Sequence, residues 1–481
     1  MSRILFSHSY YYQLDPKQWK KQQPYPPLGT LFAASYMREL GHEVDLFDTN
    51  LVEGPGEIVG QIDSFKPDYL ALYDDGFNYL TKMCLTNMRE AAFEMIKTGR
   101  DKGCTVIVSS SDSTDHYEKY LEAGAHYVLL GEAELTLKEL VEYLDEGKPV
   151  NQVLGLAYRD DHEIRTTRRR PVLKDLDDLP QPAWDLIDIQ PYKDIWKAGN
   201  GYFSLNLATT RGCPFKCNWC AKPIYGNRYH SRSPERVVEE IAWVTEHFQP
   251  DHYWMSDDIF GLKPGWVQEF NRLLKEKGLS IQYTIQSRVD LLLKEDTIDA
   301  LAESGLHEVW VGAESGSQKI LDAMDKGTQV EQIGEATKLL HEKGVRVAFF
   351  LQFGYPGETR QDIRMTIDMV KELVPDNIGV SVSYPLPGTP FYDRVKEELS
   401  QKANWTDSDD LDLMFSNTYP KEFYRKLQRY VHKVLRREQG LNQLKGIAQS
   451  GKKPKFAIRP IMALPYYIPA AAWDKHQLNQ Y

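Results

Sequence analysis

The sequence contains Thr210-Arg211-Gly212-Cys213-Pro214-Phe215-Lys216-Cys217-Asn218-Trp219-Cys220, in which three cysteines lie within eight residues. Side chains this close in sequence lose little chain entropy when they converge, so three thiolates can bind one metal centre. A structural zinc ion normally takes four ligands, and the other cysteines, Cys84 and Cys104, are distant in the chain. Three cysteines without an evident fourth ligand favour a four-iron cluster with one open iron, and structural zinc is the alternative.

Short apolar segments and helical patterns alternate around this motif. Six strand candidates, each followed by a helical pattern, lie at 203–207, 252–255, 281–285, 308–311, 347–351 and 378–382. Six β/α units predict an open or partial barrel, whose functional residues lie at the carboxyl ends of the strands.

The first 150 residues contain a second alternation. Apolar segments at 4–6, 44–47, 69–72, 106–108 and 127–130 are separated by helical patterns. Five buried strands with intervening helices predict an α/β fold with a doubly wound parallel sheet. Such sheets bind ligands beyond the carboxyl ends of their strands, here in the loops 8–12, 74–79, 109–116 and 131–132.

We therefore expect four parts, which are a sheet domain at 1–150, a linker at 151–198, a barrel at 199–395 and a mainly helical extension at 396–481. The basic run at 168–170 and the prolines that follow it indicate the linker, which has some strand content. In the extension, 419–438 reads as a basic amphipathic helix with Phe423, Leu427, Val431 and Val434 on one side. We expect this side to pack on the barrel, and a basic surface for an anionic partner is the alternative.

Composition limits the function. Lys and Arg number 58 and Asp and Glu 69, a formal charge of −11, so we expect no nucleic-acid partner. Five cysteines in 481 residues indicate a reducing compartment rather than a disulfide framework. No apolar run reaches the ~20 residues that span a bilayer, and prolines interrupt the late apolar stretch 457–473. We expect a cytoplasmic protein without a membrane span.

The spacing Cys-x3-Cys-x2-Cys, with Trp219 before the last cysteine, resembles the signature of the radical S-adenosylmethionine (SAM) superfamily. The strand ends downstream resemble those of radical SAM enzymes that carry an N-terminal cobalamin-binding domain, as do two segments of the first domain. These motifs are Met255-Ser256-Asp257-Asp258, Gln286-Ser287-Arg288, Gly312-Ala313-Glu314-Ser315-Gly316, Gly354-Tyr355-Pro356-Gly357-Glu358-Thr359, Pro385-Leu386-Pro387-Gly388, Pro26-Pro27-Leu28-Gly29-Thr30-Leu31 and Gly131-Glu132-Ala133-Glu134. The resemblance covers about residues 1–400.

The resemblance implies three cofactors. It assigns a [4Fe-4S] cluster to Cys213, Cys217 and Cys220, SAM to the open iron, and cobalamin to the first domain. The residues it suggests for SAM are Asp257, Asp258, Gln286, Arg288, Glu314, Gly354 and Pro356, and those for cobalamin are Asp74, Ser109, Ser110, Gly131 and Glu132. For Arg288 and Glu314 the alternative is a structural ion pair, and for Asp257 and Asp258 it is a capping role.

Two features depart from the cobalamin pattern. The sequence has no Asp-x-His-x-x-Gly element to supply a cobalt-ligating histidine, and Ser109-Ser110-Ser111 replaces the usual Gly-Gly-Pro. The first departure predicts a corrin without a protein imidazole, and the second leaves a relic domain without corrin as the alternative. His116 is a possible cobalt ligand, with a surface or capping histidine as the alternative.

The resemblance implies a cobalamin-dependent radical SAM methyltransferase that acts on an unactivated carbon of a small or lipid-like metabolite, with a reducing partner such as flavodoxin or ferredoxin. One alternative is an oxidative cyclase or rearrangement enzyme similar to the anaerobic magnesium-protoporphyrin monomethyl ester cyclase. Another is a cobalamin- or SAM-binding regulatory protein without turnover. A methylthiotransferase of tRNA is disfavoured, because Cys84 and Cys104 cannot form a second cysteine triad.

Overall fold

Two parallel sheets organise the chain in this computed structural model, which describes residues 1–83, 85–161, 163–399, 404–409, 411, 414–450 and 459–481. Cys84, for which the sequence predicts a small apolar helix residue, lies outside the described residues.

The N-terminal sheet has seven strands in the order β2-β1-β3-β4-β5-β6-β7. They are β1 Arg3–Ser7, β2 Glu43–Phe47, β3 Tyr69–Tyr73, β4 Thr105–Ser109, β5 Tyr127–Leu129, β6 Leu156–Asp160 and β7 Glu163–Thr166. The first five are parallel and confirm the predicted doubly wound sheet. Every residue of β3 is buried, as expected for a central strand with helices on both faces.

The last two strands extend this sheet beyond the expected domain boundary. β6 pairs antiparallel with β5, and β7 with β6, so Leu156–Asp160 and Glu163–Thr166 of the predicted linker belong to the sheet. Antiparallel strands need only a tight turn between them. The sequence predicts some strand content in the linker but does not predict that it pairs with β5. The helices of this part are α1 Pro16–Lys21, α2 Leu28–Glu39, α3 Ile58–Phe65, α4 Tyr79–Lys82, α5 Thr86–Asp101, α6 Ser111–Asp115, α7 Tyr117–Ala123, α8 Glu134–Asp145 and α9 Ile189–Asn200.

The second sheet is an open barrel of six parallel strands in the order β15-β14-β13-β12-β11-β8, which confirms the predicted six β/α units. A two-stranded ribbon of β9 and β10 lies beside it. The strands are β8 Ser204–Leu207, β9 Thr210–Arg211, β10 His230–Ser231, β11 His252–Met255, β12 Tyr283–Ser287, β13 Leu306–Glu314, β14 Arg346–Phe353 and β15 Asn377–Val382. The helices are α10 Pro234–Phe248, α11 Trp266–Glu276, α12 Val289–Leu292, α13 Thr297–Glu303, α14 Gln318–Ala323, α15 Val330–Glu342, α16 Arg360–Leu373 and α17 Pro390–Val395.

Among the described residues, the C-terminal part has three α-helices, α18 Lys421–Ser450, α19 Arg459–Met462 and α20 Leu464–Leu478. The predicted apolar side of α18, Phe423, Leu427, Val431 and Val434, is buried, and α18 packs against α16 and β15. Helix α20 packs on α18 and contains Pro469. No helix among the described residues is long and apolar enough to cross a membrane.

One continuous group of buried apolar side chains joins the two sheets. It includes Phe32 of α2, Trp184 and Trp196 of the connecting segment, and Leu205 of β8. Because the buried area is shared, the sheet domain and the barrel pack directly on each other. The remaining short helices are 3₁₀ turns at Tyr12–Leu14, Thr49–Leu51, Pro55–Glu57, Val150–Gln152, Trp184–Leu186 and Lys396–Glu398.

Candidate functional site

The cysteine loop begins where β8 ends, at the carboxyl edge of the barrel. Gly212, which immediately precedes Cys213, has a φ of +76°, and a Cβ there would lie 2.4 Å from the carbonyl oxygen of Arg228. Only glycine fits this turn, because any side chain would collide with backbone. Gly212 therefore sets the direction in which the chain enters the cysteine loop.

Asn218 holds the middle of the loop against the barrel. Its side-chain amide donates to the carbonyl of Ala323 at 2.7 Å and to Asp325 at 2.8 Å, and its side-chain oxygen accepts from the Tyr355 hydroxyl at 2.8 Å. Its backbone N–H donates to Met324. Asn218 is buried, and these four contacts fix the chain between Cys217 and Cys220.

The three cysteines are free thiols in partly exposed positions. Burial raises the pKa of the Cys213 thiol and raises that of Cys220 to about 11. Among the described residues, no three His, Cys, Asp or Glu side chains converge on a point where a single ion could bind. Three cysteine thiols on one loop are the donor set that iron-sulfur clusters take.

Two cations lie beside Cys217. Arg288 is 4.0 Å from the Cys217 sulfur, its guanidinium stacks 3.7 Å from the Phe215 ring centroid, and it pairs with Asp290 at 2.9 Å. Lys326 pairs with Glu314 at 2.8 Å; although burial lowers the pKa of Lys326, the Glu314 carboxylate holds it above its ordinary value. The predicted residues Arg288 and Glu314 therefore each have an ion-pair partner next to the cysteine loop, and their assignment to SAM stays a prediction.

The two adjacent acids at the end of β11 have different surroundings. Asp257 is buried and accepts hydrogen bonds from the N–H and hydroxyl groups of Thr209 and Thr210 at 2.6–2.9 Å. Burial raises its pKa to about 6. These four donors make Asp257 fix the start of the cysteine loop, and it caps no helix; its assignment to SAM stays a prediction. Asp258 instead pairs with Lys82 of α4, so a residue of the sheet domain reaches the edge of the cysteine site.

The loop after β14 contains Gly354 and Pro356. Gly354 has a φ of +76°, its N–H donates to Glu358, and its carbonyl accepts from Asn417. Pro356 is exposed, whereas Gln286 lies half-buried in β12. These residues share the carboxyl edge of the barrel with the cysteine loop, as the sequence predicted, and their assignment to SAM stays a prediction.

Glu358 is expected to make stability depend on pH. It is 1% exposed, one of its oxygens has no hydrogen-bond partner, and burial raises its pKa from 4.5 to about 8. Because the folded state holds this proton more tightly, the stability that the proton contributes is complete below pH 4.5 and lost as the pH rises through 8. Between pH 4.5 and 8, this group should lower the free energy of unfolding of the wild type by about 1.4 kcal/mol per pH unit. We expect Glu358→Gln to abolish this decrease.

Urea unfolding of the wild type and of Glu358→Gln across this pH range measures the difference. Glu335→Gln, at an exposed position of α15, is the matched control and should follow the wild type. A constant difference between wild type and Glu358→Gln at every pH would contradict the raised pKa.

A narrow recess lies at the carboxyl edge of the N-terminal sheet, where the sequence predicted the cobalamin site. Gly29 at the start of α2 donates its N–H to Asp75 at 2.9 Å, and a Cβ on Gly29 would lie 3.0 Å from that carboxylate. The lining residues are Gly29, Tyr73, Asp74, Gly76, Thr81, Ser109, Ser110, Ser111, Gly131, Glu134, Ile224 and Tyr225. Four of the five predicted residues therefore meet here, and Glu132 is the exception.

Two predicted side chains of the recess already have partners in the protein. Asp74 accepts from the N–H and hydroxyl of Ser9 at 2.6 and 2.7 Å, and burial raises its pKa. The Ser110 hydroxyl accepts from the N–H of Ser113 and caps α6. The Ser111 hydroxyl, in contrast, is buried without a hydrogen-bond partner. An unpaired buried hydroxyl is costly, so Ser111 is suited to a polar ligand in the recess.

No histidine is among the described residues that line this recess. His8 is buried and bound to Asp48 and Thr49, and His116 lies between α6 and α7, 3.9 Å from Asp112. Neither histidine is among the described residues that line the recess, and the absence of a protein ligand to cobalt stays a prediction.

Arg211 joins the recess to the cysteine loop. Its guanidinium donates to Glu132 at 2.5 Å and to Glu134 at 2.7 Å, and all three residues are less than 9% exposed. The rings of Phe32, Phe77 and Tyr225 surround it, with centroids 5.4–5.8 Å from the guanidinium carbon. Glu132 therefore holds Arg211, two residues before Cys213, instead of lining the recess.

Sequence reasoning missed Arg211, Asn218, Lys82 and Lys326 as parts of the site. Arg211 and Asn218 stand inside the quoted motif, where a buried Arg or Asn beside cysteines could have been noted. Lys82 and Lys326 carry no local signal, because their partners are 176 and 12 residues away.

The sequence is similar to that of known proteins. Residues 207–370 match the model of the radical SAM superfamily. An uncharacterized methyltransferase of Pyrococcus horikoshii is 30% identical over 79% of this chain and 81% of its own. The anaerobic magnesium-protoporphyrin IX monomethyl ester cyclase of Rubrivivax gelatinosus is 26% identical over 83% of this chain and 70% of its own.

A solved structure shares the fold over nearly the whole chain. The cobalamin-dependent SAM radical enzyme OxsB, with aqua-cobalamin and SAM bound, has a TM-score of 0.72 at 18% identity and covers 98% of this chain and 71% of its own. The fold and the cysteine loop thus define a radical SAM enzyme. The chain belongs to the radical SAM superfamily, and it shares with OxsB the fold in which a parallel sheet domain precedes the barrel.

Proposed function

We propose that this enzyme is a cobalamin-dependent radical SAM methyltransferase that adds a methyl group to an unactivated carbon of a small or lipid-like metabolite. The observation that carries the proposal is the direct contact between the recess and the cysteine loop. Ile224 and Tyr225, four and five residues after Cys220, line the recess of the sheet domain. A methyl donor in the recess and a radical source on the loop would therefore face one shared space.

The residues present fit the three cofactors. Cys213, Cys217 and Cys220 would hold the cluster, the carboxyl edge of the barrel would hold SAM, and the recess with its unpaired Ser111 hydroxyl would hold the polar tail of cobalamin. When these groups are bound, the cluster supplies the electron that splits SAM to the 5′-deoxyadenosyl radical, and cobalamin supplies the methyl group. Arg288 and Lys326 would balance negative charge at the cluster and at the carboxylate of SAM.

The residues that would exclude water link the two domains at the mouth of the barrel. The N–H of Thr86 donates to the carbonyl of Trp405 at 2.9 Å, and the Ser408 hydroxyl donates to Asp15 at 2.7 Å. The Trp405 ring lies 4.4 Å from that of Tyr384, just beyond β15. The segment 404–409 thus spans from the barrel to the sheet domain, which supports a substrate chamber between them.

The products test the proposal. One substrate, two SAM and two electrons from a reducing partner such as flavodoxin or ferredoxin give the methylated product, S-adenosylhomocysteine, 5′-deoxyadenosine and methionine. With a substrate found by comparing metabolites of cells with and without the gene, we expect S-adenosylhomocysteine and 5′-deoxyadenosine in about equal amounts. 5′-Deoxyadenosine alone would indicate the cyclase or rearrangement reaction, which the similarity to the Rubrivivax enzyme favours as second candidate. If neither S-adenosylhomocysteine nor 5′-deoxyadenosine is formed, the chain is a regulatory protein without turnover.

The lower face of the corrin is a separate prediction. Because no histidine is among the described residues of the recess, the cobalt should receive no imidazole nitrogen from the protein. Electron paramagnetic resonance of the cob(II)alamin form should show no nitrogen superhyperfine splitting that depends on a histidine of the protein. Splitting that disappears in His116→Ala or His8→Ala would contradict this prediction, and failure to bind any corrin would favour the relic-domain alternative.

A further inference from the structure

Helix α20 presents an apolar face to solvent. Met462, at the end of α19, is 74% exposed, and Tyr466 and Trp473 are 61% and 63% exposed. Their positions differ by four and seven residues, so they share one side of the helical segment. Pro465, Pro469 and Ala472 are also exposed on this side.

The opposite side of α20 explains why the helix forms but not why this face is apolar. Leu464, Ala471 and Leu478 are buried, and the helix packs on α18. Single exposed apolar residues are normal on proteins, whereas a continuous row of large ones marks an interaction surface. The one acid of α20, Asp474, is turned away from solvent and pairs with Lys433 at 2.6 Å.

The C-terminal stretch of the sequence has a net charge opposite to that of the rest of the chain. Residues 421–481 contain 13 Lys and Arg and 3 Asp and Glu, whereas residues 1–420 contain 45 and 66. Arg459 and Lys475 are exposed, three residues before Met462 and two residues after Trp473, at the two ends of the apolar row. The face therefore has a cationic rim in a protein that is otherwise anionic.

The exposed aromatic side chains and the basic residues beside them together indicate what binds this face. Tyr and Trp side chains prefer the boundary between headgroups and acyl chains, and basic residues beside them attract anionic lipid. A second copy of the chain would bring two cationic rims together, which charge repulsion opposes. We propose that α20, with Met462, docks this enzyme on the surface of an anionic phospholipid bilayer, lying in the interface without crossing it.

The fold directs this surface toward the site. Arg360, the first residue of α16, donates to the carbonyl of Leu478 at 3.2 Å, and it follows the loop at the carboxyl end of β14. The last turn of α20 therefore lies near the edge of the barrel that carries the cysteine loop. Docking would bring this edge close to the bilayer, within reach of a lipid-like substrate.

Vesicle flotation of the full-length holoenzyme tests the proposal. We expect it to bind vesicles of phosphatidylcholine with about one third phosphatidylglycerol, to bind pure phosphatidylcholine much more weakly, and to lose binding as salt rises. The variant Met462→Ser/Tyr466→Ser/Trp473→Ser should bind at least about tenfold more weakly. Met365→Ser/Leu339→Ser, at positions 42% and 37% exposed on α16 and α15, should bind like the wild type.

Three results would overturn the proposal: absence of wild-type binding to the anionic vesicles, equal binding by the triple variant, or a concentration-dependent dimer that the triple variant abolishes while vesicles remain unbound. Because the substituted side chains are exposed, circular dichroism and iron content should not change, and they verify folding. Flotation measures no turnover, so its failure leaves the proposed methyl transfer untouched.

Discussion

Replacing Cys213, Cys217 and Cys220 with alanine is expected to abolish iron binding and all formation of 5′-deoxyadenosine. The thiols lie on one loop that Gly212 and Asn218 hold in place, and the other described cysteine, Cys104, lies beside β4 in the sheet domain. Thiolates are the ligands that hold iron-sulfur clusters, and Cys104 is the only other cysteine among the described residues. Iron and sulfide content and visible absorbance after anaerobic reconstitution measure the effect.

Cys104→Ala is the matched control, because Cys104 is buried among apolar side chains and should affect packing rather than iron. We expect this variant to keep a full cluster with a modest loss of stability. The hypothesis of a cluster on the loop would have to be abandoned if the triple variant retained its iron while Cys104→Ala lost it.

The cysteine loop and the strands were predictable because their signals are local. Three cysteines within eight residues are recognisable from the sequence alone. Buried strands appear as short apolar runs, whichever strands they pair with. Strand β11 was predicted at its observed bounds, and β12 was displaced by two residues. Boundaries shift because the ends of a strand depend on its neighbours, here the register change between β12 and β13 near Tyr283.

The partners of charged side chains were not predictable in the same way. The motif that contains Asp257 identified the right strand end, but whether this carboxylate faces a ligand or two threonines depends on where β8 ends beside it. Glu132 was expected at the corrin site from its position after β5, and it pairs with Arg211, 79 residues later. Long-range pairs of this kind are set by how the domains pack, which composition and spacing do not contain.

Arg211→Gln is expected to lower the free energy of unfolding by about 3–5 kcal/mol, the cost of leaving buried charges without their partner. Glu132 and Glu134 would both lose the guanidinium, and the space among Phe32, Phe77 and Tyr225 would lose its cation. Since Arg211 connects the recess to the cysteine loop, we also expect weaker uptake of corrin and a changed cluster spectrum. Urea unfolding, corrin titration and electron paramagnetic resonance measure the three effects.

Arg272→Gln is the matched control, because Arg272 also pairs with two glutamates, Glu269 and Glu276, but on an exposed helix surface. Exposed pairs contribute little, so this variant should unfold like the wild type. A second variant, Arg211→Met/Glu132→Gln/Glu134→Gln, removes all three buried charges and should recover much of the lost stability. If it recovers stability but still binds corrin weakly, Arg211 positions the recess against the cysteine loop; if corrin binding recovers with stability, Arg211 serves folding alone.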